Sequence, residues 1–496
     1  MGVYTALTCH WNMDSIALVD PLLGPIRYCE LDSRVRKVAT WLQSQGIQPG
    51  QVVCIQVPKS VFLLEFILGC LAHGSVVLPL NEAYQLEQSL YYLRDSEAVL
   101  YIGPHEIGVL EQCQKLSLEA YLNQLNSCVP LNQIPAISGD CLAMFLYTSG
   151  TTGVPKGAMI SHDNILATVK GLHRLWGWTS KDVLLHVLPI FHVHGLVVAQ
   201  FGALYAGATS VWMHRFESDM VEELIHKHCV TVFMAVPTVY FRILETLDPA
   251  KLSSMRLFTS GSAPLPVRIH HRFENRYGFR ILERYGMTEV GIVLSNPLHG
   301  ERRIGTVGFP VGETQIRIVD LSTGRDCEPG CVGEIWISGP SVISGYWRRP
   351  EASAQTIQCG WLKSGDLGRK DADGYISIVG RSKDLIITGG LNVYPRDIER
   401  IFLECESVSE IAVVGLPNDE WGETVVGVIK GQSLDRNELR SASLQLAGYQ
   451  RPKRWALLDD FPRNAMGKVQ KAHLRRLLQN EPNRLFSLDT SVSHKE

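Results

Sequence analysis

Tyr147–His162 reads YTSGTTGVPKGAMISH, and what this stretch is decides what the chain around it is. Thr148, Ser149, Gly150, Thr151, Thr152 and Gly153 stand ahead of Pro155-Lys156-Gly157. Glycines let the backbone turn tightly and bring N–H groups to an anion, hydroxyls add neutral donors, and Lys156 adds a point charge. The apolar run Leu142–Tyr147 precedes the stretch. A helix is expected after it, with Ser161 as N-cap and Ile165, Val169 and Leu172 on one face. Strand, Gly-rich loop and helix in that order make a phosphate cradle. A flexible linker does not normally sit between an apolar strand and a capped helix. The P-loop pattern GxxxxGK[ST] is not met, because Pro155 stands where the second Gly belongs and Gly157 where Ser/Thr belongs. The stretch therefore reads as a triphosphate loop of another kind.

At 496 residues the chain exceeds one ordinary core, so two or more domains are expected. An apolar share of 45% with 20% charged residues describes a globular protein. A net charge of −3 leaves no electrostatic footprint for nucleic acid or an anionic membrane. Of the twelve cysteines only Cys327 and Cys331 are close in sequence, and nothing completes a zinc site. Scattered thiols point to a reducing compartment. No apolar run reaches the roughly 18 residues of a membrane span, and no signal peptide is visible. The fifth residue from Gly2 is Ala6, not the Ser/Thr of a myristoylation signal. The start is too poor in Arg for a mitochondrial presequence, so the expected location is the cytoplasm.

Residues 30–103 alternate helix and strand signals: Leu31–Gln43 and Val61–Ala72 as helices, Val52–Val57, Val76–Leu80 and Ala98–Ile102 as strands. Residues 103–140 are less regular. Strands are then expected at Val183–Leu188, Thr209–Met213, Val230–Ala235 and Arg256–Thr259, and helices at Leu196–Tyr205, Met220–His228 and Val239–Leu247. Alternation of this kind predicts parallel sheets covered on both faces. From Ile304 to Val379, short β-rich runs between Gly and Pro turns predict a small antiparallel, barrel-like unit. The expected architecture is α/β, with a large N-terminal domain (1–382) of two layered subdomains plus that unit. A small mobile α+β lid (383–478) and a disordered tail (479–496) follow.

YTSGTTGVPKGAMISH resembles the signature loop of the adenylate-forming acyl-CoA synthetases, and further motifs in that superfamily's order cover about residues 25 to 477. The resemblance implies ATP, Mg2+ and coenzyme A as reactants, an acyl-AMP intermediate, and a thioester product. It places adenine at Ser260-Gly261-Ser262-Ala263-Pro264, where small residues let a flat ring approach and Ser262 and Ala263 line it. Read alone, a plain tight turn is the alternative for that segment. In Glu283–Glu289, ERYGMTE, the resemblance stacks Tyr285 on adenine, sets Thr288 on the α-phosphate and gives Mg2+ to Glu289. Without it, the heptad reads as a loop before a helix. Asp366 in WLKSGD matches the ribose-binding carboxylate, Arg381 the ribose-binding arginine and Lys383 the hinge. Lys468 in PRNAMGK matches the adenylation lysine, which neutralises charge building between carboxylate and phosphate. His192 matches a histidine between acyl pocket and CoA tunnel, with His194 as the other choice. Gly390, in Gly389-Gly390-Leu391, matches the CoA-channel turn.

The acid itself is read from two arginines. Arg284 precedes Tyr285, and Arg242 lies in PTVYFRIL, on the helix expected to wall the pocket. A guanidinium facing an acyl cavity needs an anion, and its fork fits a carboxylate. A short dicarboxylic acid follows, and LPIFHVHGL, VPTVYFRIL and ITGGLNVYP are similar to malonyl-CoA synthetase motifs. The apolar run Val290–Leu294 departs from a malonate pocket, leaving methylmalonate or another small acid open. A carrier-protein thiol is the alternative acceptor to CoA, and a nucleotide-binding regulator the alternative to an enzyme. The sequence says nothing of oligomeric state.

Overall fold

Four-residue runs of β-branched and aliphatic side chains, buried at every position, form the centre of the first sheet: Val52–Ile55 and Val76–Pro79. Strands wet on neither face need helices on both sides. Tyr28–Ser44 and Val61–His73 supply one of the layers, crossing so closely at Gly69 that a Cβ there would lie 2.4 Å from Val38. The Ser60 side chain caps the second helix at Leu63 N–H, and Gly74, at φ 93°, ends it. The computed structural model describes residues 1–108, 110, 112–149, 154–431, 434–463 and 469–488.

This first sheet has six strands, in spatial order Gln114–Leu116, Leu100–Ile102, Val52–Ile55, Val76–Pro79, Leu142–Ser149 and Pro155–Ser161. All neighbours are parallel except the last pair. The irregular stretch after Gly103 thus contributes a strand, and also the helix Leu118–Asn126. A second sheet has nine strands: Phe309–Pro310, Gly291–Ser295, Leu282–Met287, Leu257–Ser260, Val232–Ala235, Val183–His186, Thr209–Trp212, Ile16–Asp20 and Gly24–Arg27. It is parallel through its middle and antiparallel at both edges. The N-terminal hairpin crosses the chain to join it, which the local pattern did not announce.

The third sheet corrects the barrel-like expectation. Gln315–Val319, Val332–Ser338, Trp361–Lys370, Ile357–Gln358 and Ile376–Arg381 form five antiparallel strands, and no pair among the described residues closes them. Val332–Ser338 alternates half-buried and buried positions, the pattern of a sheet with one apolar face. That face is covered by Val290, Val293, Leu294 and Val307, so it need not curl on itself.

A small C-terminal domain completes the fold. Leu391–Val393, Ile386–Thr388, Gly422–Lys430 and Ile411–Asn418 pair antiparallel, Arg454–Leu458 adds in parallel, and helices Pro395–Phe402, Arg436–Ser443 and Lys471–Asn480 pack on the sheet. The disordered-tail expectation fails up to Leu488. Phe486 and Trp455 exchange both backbone hydrogen bonds, at 2.8 and 2.9 Å, and Leu488 is buried. Among the described residues no helix is long and apolar enough to cross a membrane.

Candidate active site

The expected strand–loop–helix cradle is instead a hairpin. Pro155–Ser161 runs back along Leu142–Ser149 as the edge strand, with Thr148 opposite Lys156 and Ser149 opposite Pro155. A proline fits there, since an edge strand can spare a donor at its start. Ser161 does cap the helix His162–Leu175, through Asn164 N–H, but it ends the seven-residue strand that Pro155 begins. Gly150, Thr151, Thr152 and Gly153, the side chain of Ser149, and Lys468 lie outside the described residues. At the mouth of the hairpin, the Thr148 hydroxyl donates to Glu289 Oε1 at 3.1 Å. Lys156 Nζ lies 5.4 Å from the centre of the Tyr346 ring.

ERYGMTE is likewise no loop before a helix. Leu282–Met287 is a strand, and Thr288–Val290 turn it back into Gly291–Ser295. The turn is tight enough that a Cβ at Gly286 would lie 2.0 Å from Gly291 O. It buries Glu289, whose Oε1 accepts from Thr148 and, at 2.9 Å, from the Tyr346 hydroxyl. Burial raises the Glu289 pKa. Both of these side-chain hydrogen bonds go to Oε1, and among the described residues no group of three or more His, Cys, Asp or Glu could hold a metal. A single carboxylate fits an Mg2+ that arrives already held by phosphates, not a resident ion.

Along the strand, alternate residues face opposite ways. The Tyr285 hydroxyl donates to Asp366 Oδ2 at 2.6 Å, and Arg381, opposite Asp366 across a strand pair, reaches Oδ1 at 2.9 Å. Three expected nucleotide residues are thus brought together, each carboxylate oxygen retaining capacity for a hydroxyl donor. Glu283 sits beside His270, at 3.9 Å, and not beside Arg284.

Arg284 points the other way, into the protein. Its guanidinium lies against Gly261, where a Cβ would be 2.5 Å from Cζ. Nε and Nη2 are buried with no hydrogen-bond partner, and burial lowers the pKa to about 9, against the favourable influence of Tyr240. Next to it, His194 is buried, with Nδ1 3.2 Å from the Ser262 hydroxyl and Nε2 without a partner. Burial and Arg284 push its pKa well down. Ser262 adopts φ 69° in an exposed turn, and Ala263 beside it is exposed. His192 also has an unpartnered Nε2, and burial takes its pKa to about 4.

Arg242 is the one expected acid-binding residue that the fold removes. It is exposed, with its guanidinium 6.0 Å from the Phe216 ring centre. On the helix Pro237–Ile243 the buried residues are Val239, Tyr240 and Ile243, and the Tyr240 hydroxyl donates to Thr259 O at 2.8 Å. A residue two places further on points roughly 200° away, to solvent. Tyr240 is the neighbour of Arg284 that sequence reasoning missed, and the helical period, applied from either residue, would have separated them. Val290 and Val293 pack under the third sheet and Ile292 in the second sheet's core, which accounts for their apolarity without reference to any ligand. Lys383 is exposed in the short turn Ser382–Asp384 that joins the third sheet to the C-terminal one. Gly390, at φ 76°, makes the turn after Ile386–Thr388.

Comparison with known proteins gives the same arrangement a lineage. The AMP-binding enzyme model matches residues 8–347, and the AMP-binding enzyme C-terminal domain model matches residues 397–468. The mitochondrial malonate–CoA ligase ACSF3 of Bos taurus is 36% identical, over 82% of this chain and 78% of that protein. A long-chain-fatty-acid–CoA ligase of Bacillus subtilis is 33% identical, over 90% and 88%. The crystal structure of ATP-bound MatB from Rhodopseudomonas palustris superposes with a TM-score of 0.92 at 36% identity, covering 97% of this chain and 99% of that one. The chain belongs to the AMP-binding enzyme family.

Proposed function

We propose that the protein is an ATP-dependent acid–CoA ligase that converts malonate to malonyl-CoA, releasing AMP and pyrophosphate. The relatives named as malonate–CoA ligases support the acid, and the observation that carries it here is Arg284, buried with two N–H groups unpartnered. An unpaired buried guanidinium is costly, and a carboxylate within its reach removes that cost. Malonate carries a second carboxylate for this purpose, with His194 and Ser262 as further donors. A monocarboxylic acid leaves the charge unanswered.

In the first half-reaction a malonate carboxylate oxygen attacks the α-phosphorus of ATP and pyrophosphate leaves. Thr148, Lys156 and the hairpin loop hold the β- and γ-phosphates, Thr288 the α-phosphate, and Asp366, Arg381 and Tyr285 the nucleoside. Mg2+, bound with ATP, neutralises phosphate charge, and Glu289 is the residue that would hold it. Lys468 offsets charge on the attacking and phosphate oxygens. In the second half-reaction the CoA thiolate sulfur attacks the acyl carbonyl carbon and AMP leaves, past His192 and along the Gly389-Gly390 turn. Catalysis is positioning and electrostatics, with no side-chain nucleophile. Residues 1–382 form the adenylating body and 383–478 the lid, which turns about Lys383 between the half-reactions. We place the reaction in the cytoplasm, in keeping with the twelve free cysteines.

CoA-dependent AMP release measured with acetate, malonate, methylmalonate, succinate, benzoate and octanoate tests the reading. Malonate is expected to give the highest kcat/KM, and Arg284→Ala to lose malonate far more than ATP. Octanoate or benzoate as the best wild-type substrate would overturn the malonate assignment. Replacing CoA by a phosphopantetheinylated carrier protein distinguishes the acceptor.

A further inference from the structure

Lys59 follows the buried strand Val52–Ile55 of the first sheet, yet its ammonium serves the second sheet. Its Nζ is 2.8 Å from each of His186 Nδ1, His186 O and Met213 O, and 4.9 Å from the centre of the Trp212 ring. No carboxylate among the described residues lies within ion-pair distance, and Asp20, whose charge acts on Lys59, is 2.7 Å from His214. Burial pushes the lysine pKa well down, but three acceptors match the three N–H bonds of an ammonium. A buried ammonium without a carboxylate is a costly way to join two sheets.

The geometry also fixes a tautomer. A backbone carbonyl only accepts, so the His186 Nε2 that faces Gly195 O carries the ring hydrogen, and Nδ1 accepts from Lys59. That Nε2 lies 2.8 Å from Gly195 O. Gly195 is held from its other side by Pro189, whose carbonyl a Cβ would meet at 2.0 Å. It is the second residue of the π-helical turn His194–Phe201, a conformation often found at functional sites. The first residue of that turn is His194, beside Ser262 and Arg284.

We infer that Lys59 is a positioning residue of the acid site: it holds His186 in one tautomer, His186 holds the Gly195 carbonyl, and that carbonyl sets the His194 ring beside Arg284. The inference rests on the acid site proposed above, and two readouts separate the failure of one from the failure of the other. NMR of 15N-histidine-labelled protein, with His186→Gln to assign the signals, is independent of activity. It is expected to show His186 protonated at Nε2 and bare at Nδ1, a pattern lost in Lys59→Met. In malonate-dependent exchange of pyrophosphate into ATP, Lys59→Met is expected to raise the malonate KM about tenfold and to leave the ATP KM within about twofold. If Lys59→Met does not fold, His186 variants carry the test. His186→Gln keeps an acceptor for Lys59 and a donor for Gly195 and stays near wild type, whereas His186→Leu raises the malonate KM as Lys59→Met would. A wild-type His186 protonated at Nδ1, an unchanged malonate KM in a folded Lys59→Met or His186→Leu protein, or ATP and malonate KM rising together would overturn the relay. A wild type that shows the tautomer but ignores malonate would leave the relay standing and sink the acid assignment.

Discussion

In the proposed acid site, Arg284 would trade stability for recognition. Its Nε and Nη2 are buried without partners beneath Gly261, so the folded protein carries a desolvated charge. Arg284→Met is therefore expected to stabilise the free protein, by about 1–2 kcal/mol, because an apolar side chain of similar length suits the site better. Malonate should raise the Tm of the wild type and not of this variant, since only a ligand that binds the folded state shifts unfolding. Differential scanning fluorimetry with and without malonate checks both statements. Tyr285→Phe removes one donor from Asp366 while Arg381 remains, so the ATP KM should rise several-fold with little change in Tm. Asp366, Arg381, Tyr285 and Glu289 were all legible as motif residues, although the resemblance, not spacing, supplied their roles. Arg284 was legible as an arginine that needed an anion. Tyr240 and Lys59 were not, because each matters only through a neighbour distant in sequence, and Gly261 was legible only as part of a motif and not as the wall that Arg284 lies against.

Among the elements, the loop hairpin differs most from its local reading. The signature stretch looked like a strand, a loop and a helix, yet Pro155–Ser161 pairs with Leu142–Ser149 before the helix begins. The glycine and hydroxyl content suits either arrangement, and only the sheet edge, which offers unpaired backbone groups, selects the hairpin. The helix Val3–Thr8 is secured where its first residue, Val3, donates its N–H to His162 Nδ1 at 3.1 Å. Burial lowers the His162 pKa from 6.5 to about 4. A depressed histidine pKa means that the unfolded chain binds the proton more readily. The stability this contact contributes is complete above pH 6.5 and is lost as pH falls towards 4, on the order of 3 kcal/mol in all. Hydrogen exchange should show Val3–Thr8 losing protection between pH 6.5 and 4.5 before the parallel strands do. His162→Gln, which keeps an acceptor, should weaken that pH dependence.

Across the whole molecule these buried groups oppose one another. His192 and His270, also lowered to about 4 by burial, add to the acid lability. Glu65 and Glu283, both raised to about 7 by burial, act in the other direction. A raised carboxyl pKa means that the folded state holds the proton, so stability falls as pH rises from 4.5 to 7. Thermal stability should therefore peak near pH 6.5, falling steeply below 4.5 and slightly from 6.5 to 7. Glu65→Gln should reduce the decline on the alkaline side. At the same scale, Lys383 stands in the turn between the third sheet and the C-terminal one. Lys383→Pro restricts that turn to one φ, so thioester formation should fall at least tenfold while pyrophosphate exchange persists. If both half-reactions fall together, the hinge assignment is wrong.

By itself the sequence determined the family, the alternation of strands and helices, and the chemistry of the nucleotide site, because these depend on local pattern and on motifs that stay intact along the chain. It also placed Ser161 at a helix cap, since capping is decided within three residues. Only the tertiary structure decided that the N-terminal hairpin joins the second sheet, that the third sheet stays open, and that residues up to Leu488 are ordered against Trp455. Each depends on which distant apolar face is available for covering. The same holds for the proposed acid site. Two arginines were equal candidates in the sequence, and the direction of a strand buried Arg284 while the turn of a helix put Arg242 in water. Burial is set by the packing partner, and an unanswered charge becomes a specific one only where water cannot reach it.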